Sequence, residues 1–356
     1  HFERCDHWGK KYYRGRECCH KEYSCRLCGC RKPMQGDKEF KIMKQRIDYI
    51  DRMKGMAIFL VVMGHVYGMA FAQSDDVAYR VISSFHMPLF MFLSGLVACS
   101  GVVAPYWDVR KLGKKLKGLV LPLVVFGMCF TMTFSKDFLT GLIGFLESPN
   151  KNGYWYLMTL AVFYVSLSIY RLNLKQKWFI DVALAIAIWG GMYLLWKYTS
   201  QTKDYFCLLN CGNFYLFFML GVFTTKYRLL EKAKNANWLF SVCIVLYAVL
   251  FCVEMPIHAL DSLNRHILMP FCMVFVIVTL FMARHGETSC FERILDYVGK
   301  RTLDVYVLHY FFISVVHLQD VGKYMEKSDN SLLMFVLAVG LATVITALSV
   351  VVGNVL

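Results

Sequence analysis

Apolar stretches of membrane-spanning length alternate with short polar connections along most of this chain. Ten segments are predominantly apolar, each of about 16–23 residues, and a helix needs roughly 20 residues to cross a bilayer. The segments cover residues 56–74, 81–101, 117–135, 154–171, 178–197, 206–224, 238–256, 266–284, 303–318 and 331–353. Because backbone polar groups in hydrocarbon must be paired within their own segment, the pattern predicts an all-α, polytopic integral membrane protein with about ten transmembrane helices.

Basic residues are distributed unevenly between the two alternating sets of connections. The connections that follow the second, fourth, sixth and eighth segments, with their span ends, carry about twice as many Lys and Arg residues as the other set. Because cytoplasmic loops carry the excess of positive charge, this asymmetry predicts a multi-pass protein with both termini in the cytoplasm. We expect it in the plasma membrane or inner membrane of the cell.

Composition agrees with this class and changes the interpretation of the charge. The chain is 57% hydrophobic and 18% charged, with a net charge of +14, whereas soluble domains average about 25% charged residues. The basic residues cluster in short loops, as membrane topology alone requires, so the net charge does not indicate nucleic-acid binding. These connections are also too short to hold a folded soluble domain.

The first 42 residues differ from the rest of the chain. They are polar, basic and rich in cysteine, with Cys5, Cys18, Cys19, Cys25, Cys28 and Cys30. Cys25 and Cys28 form a Cys-x-x-Cys pair beside His20, a set that is able to ligate zinc. The spacing is irregular and no second such pair follows, so we expect residues 1–42 to be an extension without a folded domain or metal site, and residues 43–356 to form the membrane domain. A zinc knuckle remains the alternative.

Two histidines lie in the first pair of apolar segments. His65 is near the middle of the first, and His86 comes early in the second, shortly before a proline that a first helical turn tolerates. An ionisable residue in hydrocarbon indicates a functional site by default, although a hydrogen bond between helices is the structural alternative. Lys54 precedes His65 by eleven residues, about three helical turns, so the two share a face and lie roughly 16 Å apart. Asp51 lies near the same face.

Four motifs resemble those of the membrane-bound acyltransferase 3 family, most closely its fucose 4-O-acetylase-like members. They are DYIDRMKGMAIFLVVMGH, which contains Lys54 and His65, FHMPLFMFLSG at residues 85–95, YWYL at 154–157, and GKRTLDVYVLHYFF at 299–312. The motifs follow the order of the family and span most of the chain after residue 44. The family commonly has arginine where this chain has Lys54.

The resemblance implies an O-acyltransferase. Such an enzyme moves an acyl group, most often acetyl, from cytoplasmic acyl-CoA to a hydroxyl of a cell-surface or envelope carbohydrate. The expected partners are therefore acyl-CoA as donor substrate, membrane lipid, and a carbohydrate or lipid-linked saccharide as acceptor. Neither a metal cofactor nor a nucleic acid is expected.

The resemblance also assigns expected roles to the candidate site residues. His65 is expected to act as general base, since imidazole exchanges protons near neutral pH. His86 is expected to bind the acceptor or assist catalysis, with a structural role as the alternative. Lys54 is expected to contact the phosphates of acyl-CoA as a point charge, with an ordinary lysine at the cytoplasmic surface as the alternative. Asp51 is expected either to orient Lys54 or the imidazole ring, or to be an ordinary charge at a helix N-terminus.

The remaining candidates have two interpretations each. Tyr306 and His309 are three residues apart and share a helix face, where they line the site or make structural hydrogen bonds. Glu254 and Arg265 lie around one outer loop, where they bind saccharide hydroxyls or are simply solvated. Aromatic residues at span ends, among them Tyr154, Trp155, Tyr156 and Trp178, predict an interfacial belt.

Two other functions fit the same features. A transporter or flippase also has buried histidines and basic loops, but it predicts Gly/Pro-interrupted helices in two related halves, which this sequence lacks. A family member that has lost catalysis and only binds glycan is the second alternative. Consumption of a thioester donor distinguishes the expected enzyme from both.

Overall fold

All regular structure in the described part of the chain is helical. The computed structural model describes residues 36–100, 109–171, 177–200, 202–230, 237–253, 257–283, 289–327 and 330–356. Residues Tyr49–Leu356 form one compact unit. Of the unit that precedes it, the helix from residue 36 onward is described, so the cysteine-rich segment and its alternative zinc knuckle lie outside the described residues.

Fourteen α-helices occur in these ranges, apart from the helical residues 229–230 that adjoin a gap. In chain order they are α1 (Gly36–His65), α2 (Val77–Ser100), α3 (Val109–Phe134), α4 (Phe138–Glu147), α5 (Trp155–Arg171), α6 (Trp178–Thr199), α7 (Leu208–Lys226), α8 (Asn237–Cys252), α9 (His258–Leu263), α10 (Met269–Ala283), α11 (Cys290–Lys300), α12 (Thr302–Val315), α13 (Gln319–Lys327) and α14 (Ser331–Val355). Two π-helical turns continue α1 and α9, at Val66–Ala70 and Asn264–Leu268.

Seven helical segments in the described ranges are long and apolar enough to cross a membrane. They contain α1, α2, α3, α6, α7, α14, and α9 with α10 joined through the second π-helical turn. The prediction of an all-α, polytopic membrane protein is therefore confirmed. The three other predicted spans are the helices α5, α8 and α12, of 17, 16 and 14 residues, which are shorter than a full span.

The helices differ in how much of their surface the protein covers. In α2, 67% of the apolar 18-residue stretch that would cross the membrane is buried by the protein, whereas the corresponding stretches of α3 and α6 are each 17% buried. Each of the three helices contains an apolar stretch of membrane-spanning length, so mean hydropathy alone does not distinguish a central helix from a peripheral one. The core therefore lies around α1 and α2, and α3 and α6 leave most of their apolar surface free to face lipid.

Glycines let the central helices approach each other closely. A Cβ added to Gly95 of α2 would stand 2.0 Å from the carbonyl oxygen of Phe218 in α7, and one on Gly221 would stand 2.1 Å from that of Phe92. Small residues at such crossings bring backbones together in membrane proteins. The α2–α7 pair is therefore built around two facing glycines.

A second glycine crossing joins α1 to α11. A Cβ on Gly299 would stand 1.8 Å from the carbonyl oxygen of Asp51, and one on Gly55 would stand 2.1 Å from that of Leu295. Beside this crossing, Arg52 donates to Asp296 over 3.1 Å. The crossing therefore fixes the segment of α1 that carries Asp51.

A left-handed turn precedes α5. Lys151, Asn152 and Gly153 have φ values of 47°, 51° and 96°. The buried ammonium of Lys151 donates to the carbonyl oxygens of Leu146, Ser148 and Asp204. These hydrogen bonds hold three consecutive residues in a conformation that non-glycine residues rarely adopt, and the turn sets where the next helix begins.

Candidate active site

His65 lies at the end of α1, where the α-helix becomes the π-helical turn Val66–Ala70. Such π-helical turns are frequently found at functional sites. The imidazole is half-buried, and its Nε2 is 2.8 Å from the Oη of Tyr310 in α12. His65 therefore keeps some access to a substrate while one of its ring nitrogens is held by a phenol.

His309 lies next to His65. Their ring centroids are 5.3 Å apart, and the Tyr310 ring centroid is 4.8 Å from that of His65. His309 is fully buried, and its Nδ1 donates to the Val305 carbonyl oxygen over 3.0 Å. This bond places the proton on Nδ1 and leaves Nε2 as an acceptor, which has no partner among the described residues. The two histidines predicted on distant segments are thus neighbours.

Tyr306 joins α12 to the left-handed turn. Its hydroxyl donates to the Gly153 carbonyl oxygen over 2.7 Å and accepts from the Tyr156 amide over 3.2 Å. The second bond satisfies one of the amides that the first turn of a helix leaves without an intrahelical partner. Tyr306, a predicted site residue, therefore holds the start of α5 in register with α12.

The sequence did not single out Tyr310, although it lies in a quoted motif next to His309. The Tyr154 ring packs against the Tyr310 ring at 5.5 Å between centroids, and a Cβ on Gly153 would stand 2.1 Å from a Tyr310 ring carbon. The lack of a side chain at Gly153 therefore makes room for the tyrosine that contacts His65.

The expected interfacial belt is wrong for two of its residues. Tyr154 is 0% exposed and Tyr156 is 7% exposed, whereas Trp178 is 65% exposed. The Tyr154 hydroxyl donates to the Val307 carbonyl oxygen over 3.0 Å, and that of Tyr156 bonds Ser94 over 2.7 Å. Buried phenols with polar partners belong to the protein interior, so the two tyrosines of the YWYL motif lie beside the site.

His86 lies beside the end of α1 that carries His65. Its Nδ1 donates to the Ile82 carbonyl oxygen over 2.8 Å, and its Nε2 is 4.0 Å from the position of a Cβ on Gly64. Pro88, two residues after His86, was expected in the first turn of a helix, and this expectation is wrong. The helix α2 already begins at Val77, because Asp76 accepts a hydrogen bond from the Ala78 amide there.

Lys54 and Asp51 form an ion pair of 3.2 Å on α1. The Lys54 side chain is 24% exposed and that of Asp51 is 13% exposed, so the carboxylate orients an ammonium that solvent still reaches. Arg52 points away toward α11. The ten residues between Lys54 and His65 are all helical, so the predicted separation of roughly 16 Å along one face applies.

The outer-loop candidates do not join this cluster. Arg265 pairs with Asp261 over 2.8 Å and lines a separate cavity, into which neither His65 nor Tyr310 projects. Glu254 lies outside the described residues. Within the described ranges, His, Cys, Asp and Glu side chains form no group of three or more that could hold a metal ion.

Comparisons with known proteins give one family and two curated relatives. A sequence profile described as an acyltransferase domain matches residues 47–352. The nodulation protein NolL of Sinorhizobium fredii is 28% identical over 172 residues, which are 44% of this chain and 46% of the relative. The nodulation protein NolL of Mesorhizobium japonicum is 24% identical over 170 residues, or 44% and 45% of the two chains. The aligned part spans about half the length of these relatives, and no solved structure matches.

Proposed function

We propose a reaction from one premise: this chain belongs to the acyltransferase family, because the family profile covers residues 47–352. The protein is an integral membrane enzyme that transfers an acyl group, in the simplest case acetyl, from acyl-CoA to a hydroxyl of a cell-surface or envelope carbohydrate. The observation that carries this proposal is the 2.8 Å contact between His65 Nε2 and Tyr310 Oη inside the cluster built from the motifs.

The proposed step is a direct transfer. The acceptor O–H gives its proton to His65 as the oxygen attacks the thioester carbonyl, and a C–O bond forms. The tetrahedral intermediate then collapses, the C–S bond breaks, and the CoA thiolate takes the proton back from the imidazolium. General-base catalysis of this kind contributes typically about 10²–10⁴-fold.

Tyr310 supports this step by contacting Nε2, the ring nitrogen of His65 that takes up the proton. Its hydroxyl donates to Nε2 when the proton of the imidazole is on Nδ1, so the acceptor hydroxyl must replace the phenol at Nε2 or pass its proton through it. In both cases Tyr310 orients the ring before the acceptor arrives. His309, which is fully buried, acts through its packing on these two rings, so we assign it a positioning role.

The donor is proposed to lie along α1. Lys54 would contact the phosphates of acyl-CoA, and the extended pantetheine arm would run along the helix face toward His65. The ion pair with Asp51 supports this role, since it holds the ammonium in one direction without removing it from solvent. No metal is needed for the step as written.

An acyl-transfer assay tests the reaction. The purified chain in proteoliposomes should consume radiolabelled acetyl-CoA and place the label on saccharide extracted from the producing cells and freed of its esters by mild alkali. A transporter or a catalytically silent glycan binder leaves the thioester intact. Absence of CoA release in a properly inserted protein, with acetyl and longer acyl donors, would overturn the proposal.

Lys54→Ala should raise the KM for acyl-CoA, and the effect should be larger at low salt, because exposed charge contacts are screened by ions. Lys54→Arg should keep the KM near that of the unchanged chain. Lys323→Ala is the matched control, since Lys323 also pairs with an aspartate three residues before it. An unchanged KM in Lys54→Ala would remove this residue from the donor site.

Tyr310→Phe should lower kcat by roughly tenfold. This is the loss expected when one hydrogen bond worth up to about 1.5 kcal/mol is removed from the transition state. The ring packing against Tyr154 is retained, so the KM for acyl-CoA should not change. Tyr198→Phe in α6 is the control, because Tyr198 is 77% exposed. Full kcat in Tyr310→Phe would show that the phenol only packs.

A further inference from the structure

A second polar region lies away from His65. It is a cavity of about 780 Å³ between α2, α7, α8 and the π-helical turn before α10, within the range of about 300–1,000 Å³ that is typical of ligand pockets. Six of its lining residues carry the argument: Arg80, Trp155, Asn210, Asn213, Phe214 and Asn264. None of them has a role in the proposed step.

Helix α2 separates the cavity from His65. Ser84 and Pro88 line the cavity, whereas His86, two residues from each, approaches α1 near Gly64. Two residues are about 200° around a helix, so the two sites occupy opposite faces of α2. The helix is about 10–12 Å across with its side chains, a distance that a saccharide of several units spans and a single sugar does not.

The chemistry of the lining matches a sugar. The rings of Trp155 and Phe214 stack at 5.2 Å and 18°, which presents a flat apolar surface beside several amide groups. No Asp or Glu of the described residues lines the cavity, which disfavours a metal ion or an amine. Flat aromatic faces with neutral amide donors and acceptors suit a hydroxyl-rich ring, because they cover its apolar face and pair its hydroxyls.

One lining residue has an unused hydrogen-bonding atom. Asn264 is 1% exposed, and its amide nitrogen donates to the Leu250 carbonyl oxygen over 3.1 Å. Its side-chain oxygen has no partner among the described residues, and leaving a buried acceptor unpaired costs about 1–3 kcal/mol. A ligand hydroxyl in the cavity is the kind of donor that this oxygen lacks.

We propose that this cavity binds a sugar unit of the acceptor other than the unit that is acylated. The bound unit retains a multi-unit saccharide while a hydroxyl of another unit reaches His65 on the far face of α2. Binding energy from such a remote part of a substrate raises the efficiency of the reaction at the distant centre. The inference rests on the proposed function for the class of ligand and adds a second site to it.

Direct binding tests the cavity without the reaction. The probe is the alkali-treated saccharide of the producing cells, separated by length and titrated calorimetrically into the purified full chain in nanodiscs without donor. Longer fractions should bind more tightly than single sugars. Asn213→Ala should weaken binding of the long fractions by about twofold to tenfold, and Trp155→Leu by about tenfold.

Matched controls use residues of the same type outside the cavity. Asn330→Ala replaces an exposed asparagine whose side chain caps no helix, and Trp178→Leu replaces an exposed tryptophan. Both should bind the long fractions like the unchanged chain. Arg80→Gln is a further cavity variant that leaves the aromatic stack untouched, so its weaker binding cannot be ascribed to collapse of the fold.

The outcomes separate this inference from the proposed reaction. Cavity variants that raise the KM for long acceptors more than they lower kcat support it. Cavity-dependent binding in a chain that releases no CoA supports the site and overturns the reaction. Normal affinity for long fractions in Asn213→Ala, Trp155→Leu and Arg80→Gln overturns the site, whether or not the acyl group is transferred.

Discussion

Replacing His65 by glutamine should lower acyl transfer at least about 100-fold, the low end for a lost general base. Glutamine keeps much of the shape and is able to hydrogen-bond Tyr310, but it does not take up a proton. A structural hydrogen bond between membrane helices is worth only about 0.6 kcal/mol on average, and glutamine would replace it. The variant therefore distinguishes a catalytic imidazole from a structural one.

The measurement is the initial rate of transfer, together with the affinity for acyl-CoA and the yield of inserted protein. The affinity for acyl-CoA and the yield of inserted protein should stay near those of the unchanged chain. His317→Gln, an exposed histidine between α12 and α13, is the matched control and should retain full activity. Near-normal turnover in His65→Gln would mean that the base lies elsewhere, with His86 as the next candidate.

Gly299→Ala should destabilise the folded protein by at least about 1–3 kcal/mol, the usual cost of overpacking a tight contact. The added Cβ would meet the carbonyl oxygen of Asp51 at 1.8 Å. That atom belongs to a helix backbone, so relief requires α1 and α11 to move apart. Because Asp51 orients Lys54, the surviving protein should also have a higher KM for acyl-CoA.

Thermal unfolding in detergent measures the first effect, and donor kinetics measure the second. Gly113→Ala and Gly340→Ala are the controls, since a Cβ at either position meets no atom within 4 Å and alanine favours a helix more than glycine does. An unfolding midpoint for Gly299→Ala equal to those of the controls would contradict a backbone-to-backbone crossing.

The sequence predicted the helices far better than it predicted their ends. Hydropathy located every long helix, because twenty apolar residues have few alternatives to a membrane-spanning helix. It placed the start of α2 near residue 81, yet Asp76 caps the helix at Val77. It missed α11 and α13 as well, because amphipathic helices of eleven and nine residues do not raise the mean hydropathy.

The residues of the candidate site were also predicted better than the contacts between them. The motifs supplied His65, His309 and Tyr306, but their contacts depend on which faces of α1 and α12 meet, across 245 residues of chain between His65 and Tyr310. No local pattern encodes that choice, because a helix that is apolar all round has no preferred inner face. Tyr154 shows the same ambiguity, since an aromatic residue at a span end suits both the interface and the interior.

The buried ammonium of Lys151 has a further consequence, which concerns dissolved ions. Three carbonyl oxygens, one from the last turn of α4 and two from separate loops, converge on it, an arrangement that elsewhere surrounds a hydrated or bare metal cation. Burial lowers the pKa of this ammonium, while the tether of its own side chain keeps it in place.

A cation that is covalently attached does not dissociate, compete with other ions or require a minimum salt concentration. Asp204, which supplies one of the three oxygens, also accepts hydrogen bonds from the Leu208 and Leu209 amides at the start of α7. The chain therefore supplies its own cation at the junction of the turn before α5 with the start of α7, and we expect the register of these two helices to respond little to the ionic composition of the medium.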